Sequence, residues 1–94
     1  MNKEKILFKL RNYFNLLSFD ELSEILNDDV LSIKGNKDHL NIRFSGDRNL
    51  IVWNDGSKYW HLNNLYHREN NKPAVIHADG SKEWYVNGYK RKTQ

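Results

Sequence analysis

The sequence predicts an α+β fold in which two N-terminal helices pack on an antiparallel β-meander of tandem hairpin repeats. Three observations carry this prediction. Apolar residues recur with helical spacing over residues 1–28, apolar and polar residues alternate from residue 31 onward, and turn-forming pairs separate the alternating segments. A chain of 94 residues has the length of one domain. We therefore expect a helical hairpin at 1–28 and a meander at 31–94 to share one core.

The first helix is predicted from one apolar stripe at spacings of three and four residues, formed by Leu7, Leu10, Phe14 and Leu17. Ser18, with Glu21 three residues later, has the pattern of a capping box that begins a second helix. That helix runs through FDELSEIL and is expected to end near Asn27.

Eight strands are predicted from the alternating segments: LSIK, HLNIRF, NLIVW, KYWHLN, LYHR, PAVIHA, KEWYVN and YKRK. The turns between the later strands have explicit chemistry. The pairs Asp55-Gly56, Asp79-Gly80 and Asn87-Gly88 favour two-residue type I′ turns, in which both central residues need a positive φ. The pair 63–64 holds the equivalent place in the earlier copy.

The second half of the chain contains an internal repeat of 24 residues, because residues 55–68 align with residues 79–92. The shared residues are Asp55/Asp79, Gly56/Gly80, Ser57/Ser81, Lys58/Lys82, Trp60/Trp84 and Asn63/Asn87. These are residues that a turn, a strand start and a buried aromatic position need. The repeat therefore predicts a structural unit and not a catalytic one.

Type I′ turns at 55–56 and 79–80 would fix the strand register, and cross-strand partners share a face. Ile51 would then oppose Trp60, and Val75 would oppose Trp84. The predicted core face comprises Ile51, Trp53, Trp60, Leu62, Leu65, Val75, Trp84, Val86 and Tyr89. The predicted opposite face comprises Val52, Tyr59, His61, Tyr66, Arg68, Ala74, Ile76, Glu83, Tyr85 and Lys90.

This opposite face has the composition of a protein interface. Tyrosine, histidine and arginine give a large contact area together with polar groups, and tyrosine and arginine are enriched at interfaces. Tyrosines also occupy solvated sheet faces because they favour strands. The candidate protein-binding residues are Tyr59, His61, Tyr66, Arg68, Tyr85 and Lys90.

The sequence offers little for catalysis. The absence of cysteine excludes disulfides, thiolate zinc sites and cysteine nucleophiles. The four histidines have poor spacing for a metal, and the predicted register places His67 and His77 on the tryptophan face and His61 on the other. We expect no enzyme, cofactor, metal or small-molecule substrate. With neither a signal-peptide pattern nor a membrane-length apolar segment, a cytoplasmic protein without membrane contact is expected.

Charge is distributed unevenly along the chain. Residues 1–30 hold four lysines and arginines against six acidic residues, whereas residues 31–94 hold eleven against six. Lys90, Arg91 and Lys92 follow Tyr89 in the last strand, a pattern suited to a phosphate backbone. Lysines at this position also protect an edge strand from aggregation.

The stretch 67–92 resembles a MORN-like repeat, HR-x4-PA-x4-DG-x-K-x-WY-x-NG, that occurs in small proteins of bacteriophages and giant viruses. The matching residues are His67, Arg68, Pro73, Ala74, Asp79, Gly80, Lys82, Trp84, Tyr85, Asn87 and Gly88, and residues 43–66 form a degraded copy. The resemblance implies a β-hairpin scaffold without catalytic residues, and a phage or prophage origin.

Three functions are consistent with these features. The leading hypothesis is a phage-encoded, non-enzymatic protein-binding module that inhibits a host protein or ribonucleoprotein complex, in the manner of an anti-CRISPR or other anti-defence protein, by occluding a functional surface. The alternative is a nucleic-acid-binding protein that uses Lys90, Arg91 and Lys92. A third is a structural homo-oligomer such as a homodimer. Nucleic-acid binding would weaken steeply with salt, whereas an aromatic protein interface would not.

Overall fold

Two short helices precede eight strands in the computed structural model, which describes residues 1–94. The helices are α1 (Lys3–Leu10) and α2 (Phe19–Leu26), with a 3₁₀ turn at Phe14–Leu16 between them. The strands are β1 (Val30–Gly35), β2 (His39–Phe44), β3 (Arg48–Trp53), β4 (Lys58–Leu62), β5 (Leu65–Tyr66), β6 (Val75–Ile76), β7 (Lys82–Val86) and β8 (Tyr89–Thr93). The predicted α+β class is confirmed, and each predicted strand segment overlaps one strand.

The strands form one antiparallel sheet in the order β1-β2-β3-β4-β6-β7-β8, and β5 pairs with β4 beside β6. Strands β5 and β6 therefore lie end to end along β4. His61 and Leu62 pair with β5, whereas Lys58 and Tyr59 pair with β6. The sheet is thus a meander whose second half is a pair of repeated hairpins.

Helix α1 is shorter than the apolar stripe predicts. It buries Ile6 and Leu10, and the backbone hydrogen bonds then tighten to three-residue spacing, from Arg11 to Phe8 and from Tyr13 to Leu10. An α-helix often ends in such bonds, because a turn with three-residue spacing is tighter than an α-helical turn and does not continue its hydrogen-bond pattern. Phe14 consequently lies in the 3₁₀ turn and is exposed.

Helix α2 begins at the predicted capping box. The Ser18 hydroxyl accepts the Glu21 backbone N–H at 3.1 Å, and the Glu21 carboxylate accepts the Ser18 N–H at 2.7 Å. Two N–H groups that lack helical partners are satisfied reciprocally in this way. The helix ends before Asn27, as predicted.

The two Asp-Gly loops differ from the prediction by one residue. Gly56 has a φ of +94°, but Asp55 is not in the positive-φ region that a type I′ turn needs. Trp53 instead pairs with Ser57 across a three-residue loop, and the Asp55 side chain accepts both the N–H and the hydroxyl of Ser57. The second copy repeats this arrangement around Asp79 and Ser81.

One extra loop residue shifts the register and exchanges the faces of β3 and β6. Leu50 opposes Trp60 where Ile51 was predicted, and Val75 opposes Glu83 where Trp84 was predicted. The predicted face was therefore wrong for seven residues. Val52, Ala74 and Ile76 lie on the helix side of the sheet, whereas Ile51, Trp53, Val75 and His77 lie on the opposite side.

The hydrophobic core lies between the helices and strands β1–β4, and its buried residues are Ile6, Leu10, Ile25, Val30, Ile33, Leu40, Ile42, Phe44, Leu50, Val52 and Trp60. The later strands extend beyond this cover. Leu65, Val86 and Tyr89 lie on the helix side, as predicted, but are exposed. Neither helix is long and apolar enough to cross a membrane.

Candidate functional site

A cluster of aromatic side chains lies on the side of the sheet that faces away from the helices. Tyr59 and His61 project from β4, Tyr66 from β5, Tyr85 from β7 and Lys90 from β8. We call these five residues the tyrosine face. They are five of the six candidate binding residues, and the sheet register brings them together as the sequence predicts.

The rings of the tyrosine face form one continuous contact. The Tyr66 ring centroid lies 5.9 Å from that of Tyr59, 5.1 Å from that of Tyr85 and 5.1 Å from that of His61. The Tyr59 and Tyr66 rings are stacked, and the other two pairs are tilted. These separations are typical of favourable aromatic pairs, each of which contributes about 0.5–1.5 kcal/mol beyond area burial.

Glu83 holds one end of the tyrosine face in place. Its carboxylate accepts the Tyr85 hydroxyl at 3.0 Å, contacts the Lys90 Nζ at 3.0 Å and lies 2.5 Å from His77 Nε2. The hydrogen bond from His77, followed by those from Lys90 and Tyr85, lowers the pKa of Glu83 to about 2. Burial and the Glu83 carboxylate raise the pKa of the Tyr85 hydroxyl, so both groups stay in their ordinary charge states near neutral pH.

His77 belongs to this side of the sheet, and its predicted place on the tryptophan face was wrong. The shifted register puts His77 on the same side as Val75 and Tyr59, and its ring meets the Tyr59 ring edge-on at 6.5 Å. His61 has a buried Nδ1 atom without a hydrogen-bond partner, and burial lowers its pKa. His61 is therefore neutral near neutral pH and contributes an aromatic ring to the tyrosine face.

Arg68 lies on the opposite side of the sheet, and its predicted place on the tyrosine face was wrong. Its guanidinium carbon is 3.6 Å from the Trp60 ring centroid, and its Nη2 donates to the Glu24 carboxylate of α2 at 2.8 Å. Its Nε donates to the same carboxylate at 3.3 Å, and its Nη1 donates to the Pro73 carbonyl at 3.1 Å. Arg68 is therefore a structural cation, with a side chain that is 9% exposed, and it connects α2 to the sheet.

The internal repeat explains why Arg68 lies over the Trp60 ring. Lys92 lies 24 residues after Arg68, and its Nζ is 4.3 Å from the ring centroid of Trp84, the equivalent of Trp60. Each copy thus contains a tryptophan and a cation eight residues later over its ring. The sequence therefore contained a signal for the position of Arg68, because a cation follows the tryptophan by eight residues in both copies.

The basic residues of the last strand do not form one strip. Lys90 contacts Glu83 on the tyrosine face, whereas Lys92 lies over Trp84 on the other side. A register irregularity at Trp84/Tyr85 leaves Arg91 as an extra residue between them. Two of the three cations therefore have partners within the chain.

A cavity of about 220 Å³ separates α2 from the sheet, and its charged lining is paired. Asp28 binds Arg48 through two hydrogen bonds, and Glu24 binds both Arg68 and Lys72. The Arg48 hydrogen bonds lower the pKa of Asp28. These contacts hold α2 on the sheet. No three histidine or carboxylate side chains meet in a metal-binding arrangement.

Comparison with known proteins yields no match among protein-family models, curated proteins or solved structures.

Proposed function

We propose that this chain is a non-enzymatic protein-binding module that docks through its tyrosine face. The observation that carries the proposal is the continuous ring contact of Tyr59, His61, Tyr66 and Tyr85 on the side of the sheet without helices. Tyrosine supplies a large, rigid contact area with two rotatable side-chain bonds, so little conformational entropy is lost when it binds.

The preorganisation of the face supports this proposal. Glu83 fixes the Tyr85 hydroxyl and the Lys90 ammonium, and Tyr66 contacts three neighbouring rings. Side chains that are already ordered lose less entropy at an interface than free ones do. The tyrosine face therefore has the physical character of a binding-energy hot spot.

The two repeat copies differ at the positions that form this face. Tyr59, His61 and Tyr66 in the first copy correspond to Glu83, Tyr85 and Lys90 in the second, which are also on the face. The identical residues lie instead in turns, at strand starts and at the buried tryptophans. The scaffold is thus repeated while its outward side chains vary, as a binding surface requires.

The partner that we propose is a host protein or ribonucleoprotein complex, met in the bacterial cytoplasm and inhibited by occlusion of a functional surface. The resemblance of residues 67–92 to phage repeats supports a viral origin. The aromatic composition of the face supports occlusion over catalysis, because aromatic contacts need no reacting group.

A pull-down with matched variants tests the proposal. The tagged protein is incubated with nuclease-treated bacterial lysate, and retained proteins are identified by mass spectrometry. Tyr66→Ala alone, and Tyr59→Ala, Tyr66→Ala and Tyr85→Ala together, should reduce partner recovery, because a hot-spot truncation costs about 2 kcal/mol or more, roughly a 30-fold loss of affinity. Circular dichroism establishes that the variants are folded.

Tyr89→Ala is the matched control. Tyr89 is 76% exposed and pairs with Val86, so it lies on the other side of the sheet. Recovery should be unchanged by this variant. A partner that binds the triple variant as well as the native chain would contradict the proposal, and recovery of the chain alone would favour the homo-oligomer.

A further inference from the structure

A polar groove lies at the end of strands β2–β4, beside the turns at 45–47 and 63–64, and one of its lining residues, Asn49, pairs with His61 of the tyrosine face. The register aligns Arg43 on β2 with Asn49 on β3, Asn49 with His61 on β4, and His61 with Tyr66 on β5. Cross-strand partners share a face, so these four side chains form one row across the sheet. The row runs from a cation through an amide to two aromatic rings.

The groove has a volume of about 470 Å³ and is rich in amides. Its lining includes Asn41, Asn49, Asn63 and Asn64. The last two form the turn after β4 with φ values of +51° and +64°, which presents both amides beside the β3–β4 pair. Asparagine amides and arginine guanidinium groups are the side chains that most often read base edges.

The free charges on this side of the sheet are mainly positive. Lys34 and Arg43 are exposed and make no ion pair, and Lys90 shares Glu83 with His77. The Glu83 carboxylate is already engaged by three groups. Asp47 is the only acidic residue that lines the groove, and it has no ion-pair partner. The other paired carboxylates bind cations on the helix side.

We propose that this row and groove bind a single-stranded segment of nucleic acid. Unpaired bases would stack on Tyr66 and His61, the amides of Asn49 and its neighbours would contact base edges, and Arg43 would neutralise phosphate. This combination of aromatic stacking with basic side chains is characteristic of single-strand binding surfaces. A duplex hides its base faces, so it gains nothing from the rings.

The dimensions agree with this occupant. The row continues from Tyr66 to Tyr85 by ring contact and from Tyr85 to its cross-strand partner Lys90 on β8. Its length from β2 to β8 is roughly 24 Å at about 4.8 Å per strand, enough for a site of about four nucleotides. The inference rests on the proposed function, because it identifies the strand with the nucleic-acid component of the ribonucleoprotein partner.

Fluorescence anisotropy with defined oligonucleotides tests the inference. The probes are labelled oligouridylate and oligothymidylate of about twelve nucleotides and a DNA duplex of equal length, titrated at about 50 mM and about 200 mM NaCl. We expect the single strands to bind more tightly than the duplex. Tyr66→Ala should weaken binding about fivefold or more, and Arg43→Ala should reduce the slope of log affinity against log salt by about 0.7.

Two further variants sharpen the test. Asp47→Asn should strengthen binding by removing repulsion at the groove. Lys9→Ala removes an exposed cation from α1 and should leave the affinity unchanged. Tighter binding to oligouridylate than to oligothymidylate would identify RNA as the ligand, and the reverse would identify DNA.

Several results would overturn the inference. One is no anisotropy change at about 100 µM protein in the lower salt. Another is equal binding of the duplex, and a third is loss of binding in Arg91→Ala with Lys92→Ala but not in Arg43→Ala. A protein partner that survives nuclease and depends on Tyr66 would leave the proposed function standing in each case.

Discussion

At the scale of single residues, the main role of the charged side chains is to form contacts within the molecule. Arg68 is a motif residue that the sequence predicts on the binding face, but it stacks on Trp60 and binds Glu24. A guanidinium over an indole is stabilised by the ring quadrupole, and the adjacent carboxylate compensates for its lost hydration. The same logic places Lys92 over Trp84.

Glu83 makes the stability of the fold depend on acidity. Its pKa is lowered from an ordinary 4.5 to about 2 in the folded chain. Its stabilising contribution is therefore fully present above pH 4.5, and it is lost as the pH falls toward 2, because the unfolded chain binds the proton first. Urea unfolding at a series of pH values across this window should show the free energy of unfolding falling with acidity.

Glu83→Gln is the matched variant for this prediction. It cannot ionise, so the difference between native and variant unfolding free energies should shrink as the pH falls through the window. Glu24 and Asp28, whose pKa values are also lowered, contribute a background that both chains share. A difference that is constant with pH would contradict the role of the Glu83 contacts.

At the scale of elements, turns decide which side chains meet. The Asn63-Asn64 and Asn87-Gly88 pairs have positive φ at both residues and form the predicted two-residue loops. The Asp-Gly pairs do not, because the following serine offers its N–H and hydroxyl to the aspartate, which favours a longer loop. The positions of the strands could therefore be predicted from the alternation of apolar and polar residues. The registers of the two hairpins with Asp-Gly loops could not be predicted from the Asp-Gly pairs alone.

The candidate site was less affected by this error than the core. Tyr59, His61 and Tyr66 lie on strands joined by the correctly predicted turn at 63–64, and Tyr85 holds in the second copy of the repeat the position of His61 in the first. Arg68 follows β5 outside any strand, where alternation no longer specifies direction. The contacts of Arg68 depend on α2. Because α2 lies outside the repeat, the repeat pattern could not predict these contacts.

The register predicts unequal costs for two tryptophan substitutions. Trp60→Ala removes a core side chain and should lower the free energy of unfolding by about 3–5 kcal/mol. Trp53→Ala should cost at least about 2 kcal/mol less, because Trp53 is 39% exposed and contacts the His39 ring. Urea denaturation monitored by circular dichroism measures both. Equal costs, or a larger cost for Trp53, would support the register with Ile51 opposite Trp60.

At the scale of the whole molecule, one sheet has two different sides. Both helices cover the β1–β4 part of one side, and the acidic residues Glu21, Glu24 and Asp28 bind basic residues there. The other side carries the tyrosine face and the polar groove. These acidic residues bind cations on the helix side and so hold the helices to the sheet. They do not pair with the cations on the open side, which remain available.

A shortened chain tests how far the sheet depends on the helices. Residues 29–94 lack Ile6, Leu10 and Ile25, which pack on the sheet in the core. An isolated sheet would expose that apolar side, so we expect no cooperative thermal transition by circular dichroism. The full chain with Phe19→Ala should keep its transition, since Phe19 is 82% exposed. A cooperative transition in the shortened chain would show that the meander folds alone.

In the first copy, β5 is followed by β6, which pairs with β4 beside β5. By the same arrangement, a duplication of the corresponding 24 codons could add a hairpin that pairs with β7 in place of the end of β8, without disturbing the core beneath the helices. Every such addition would place three new side chains on the open side, at the positions now held by Glu83, Tyr85 and Lys90. The area available for recognition can therefore grow by gene duplication and diversify by point mutation, independently of the part of the chain that maintains the fold.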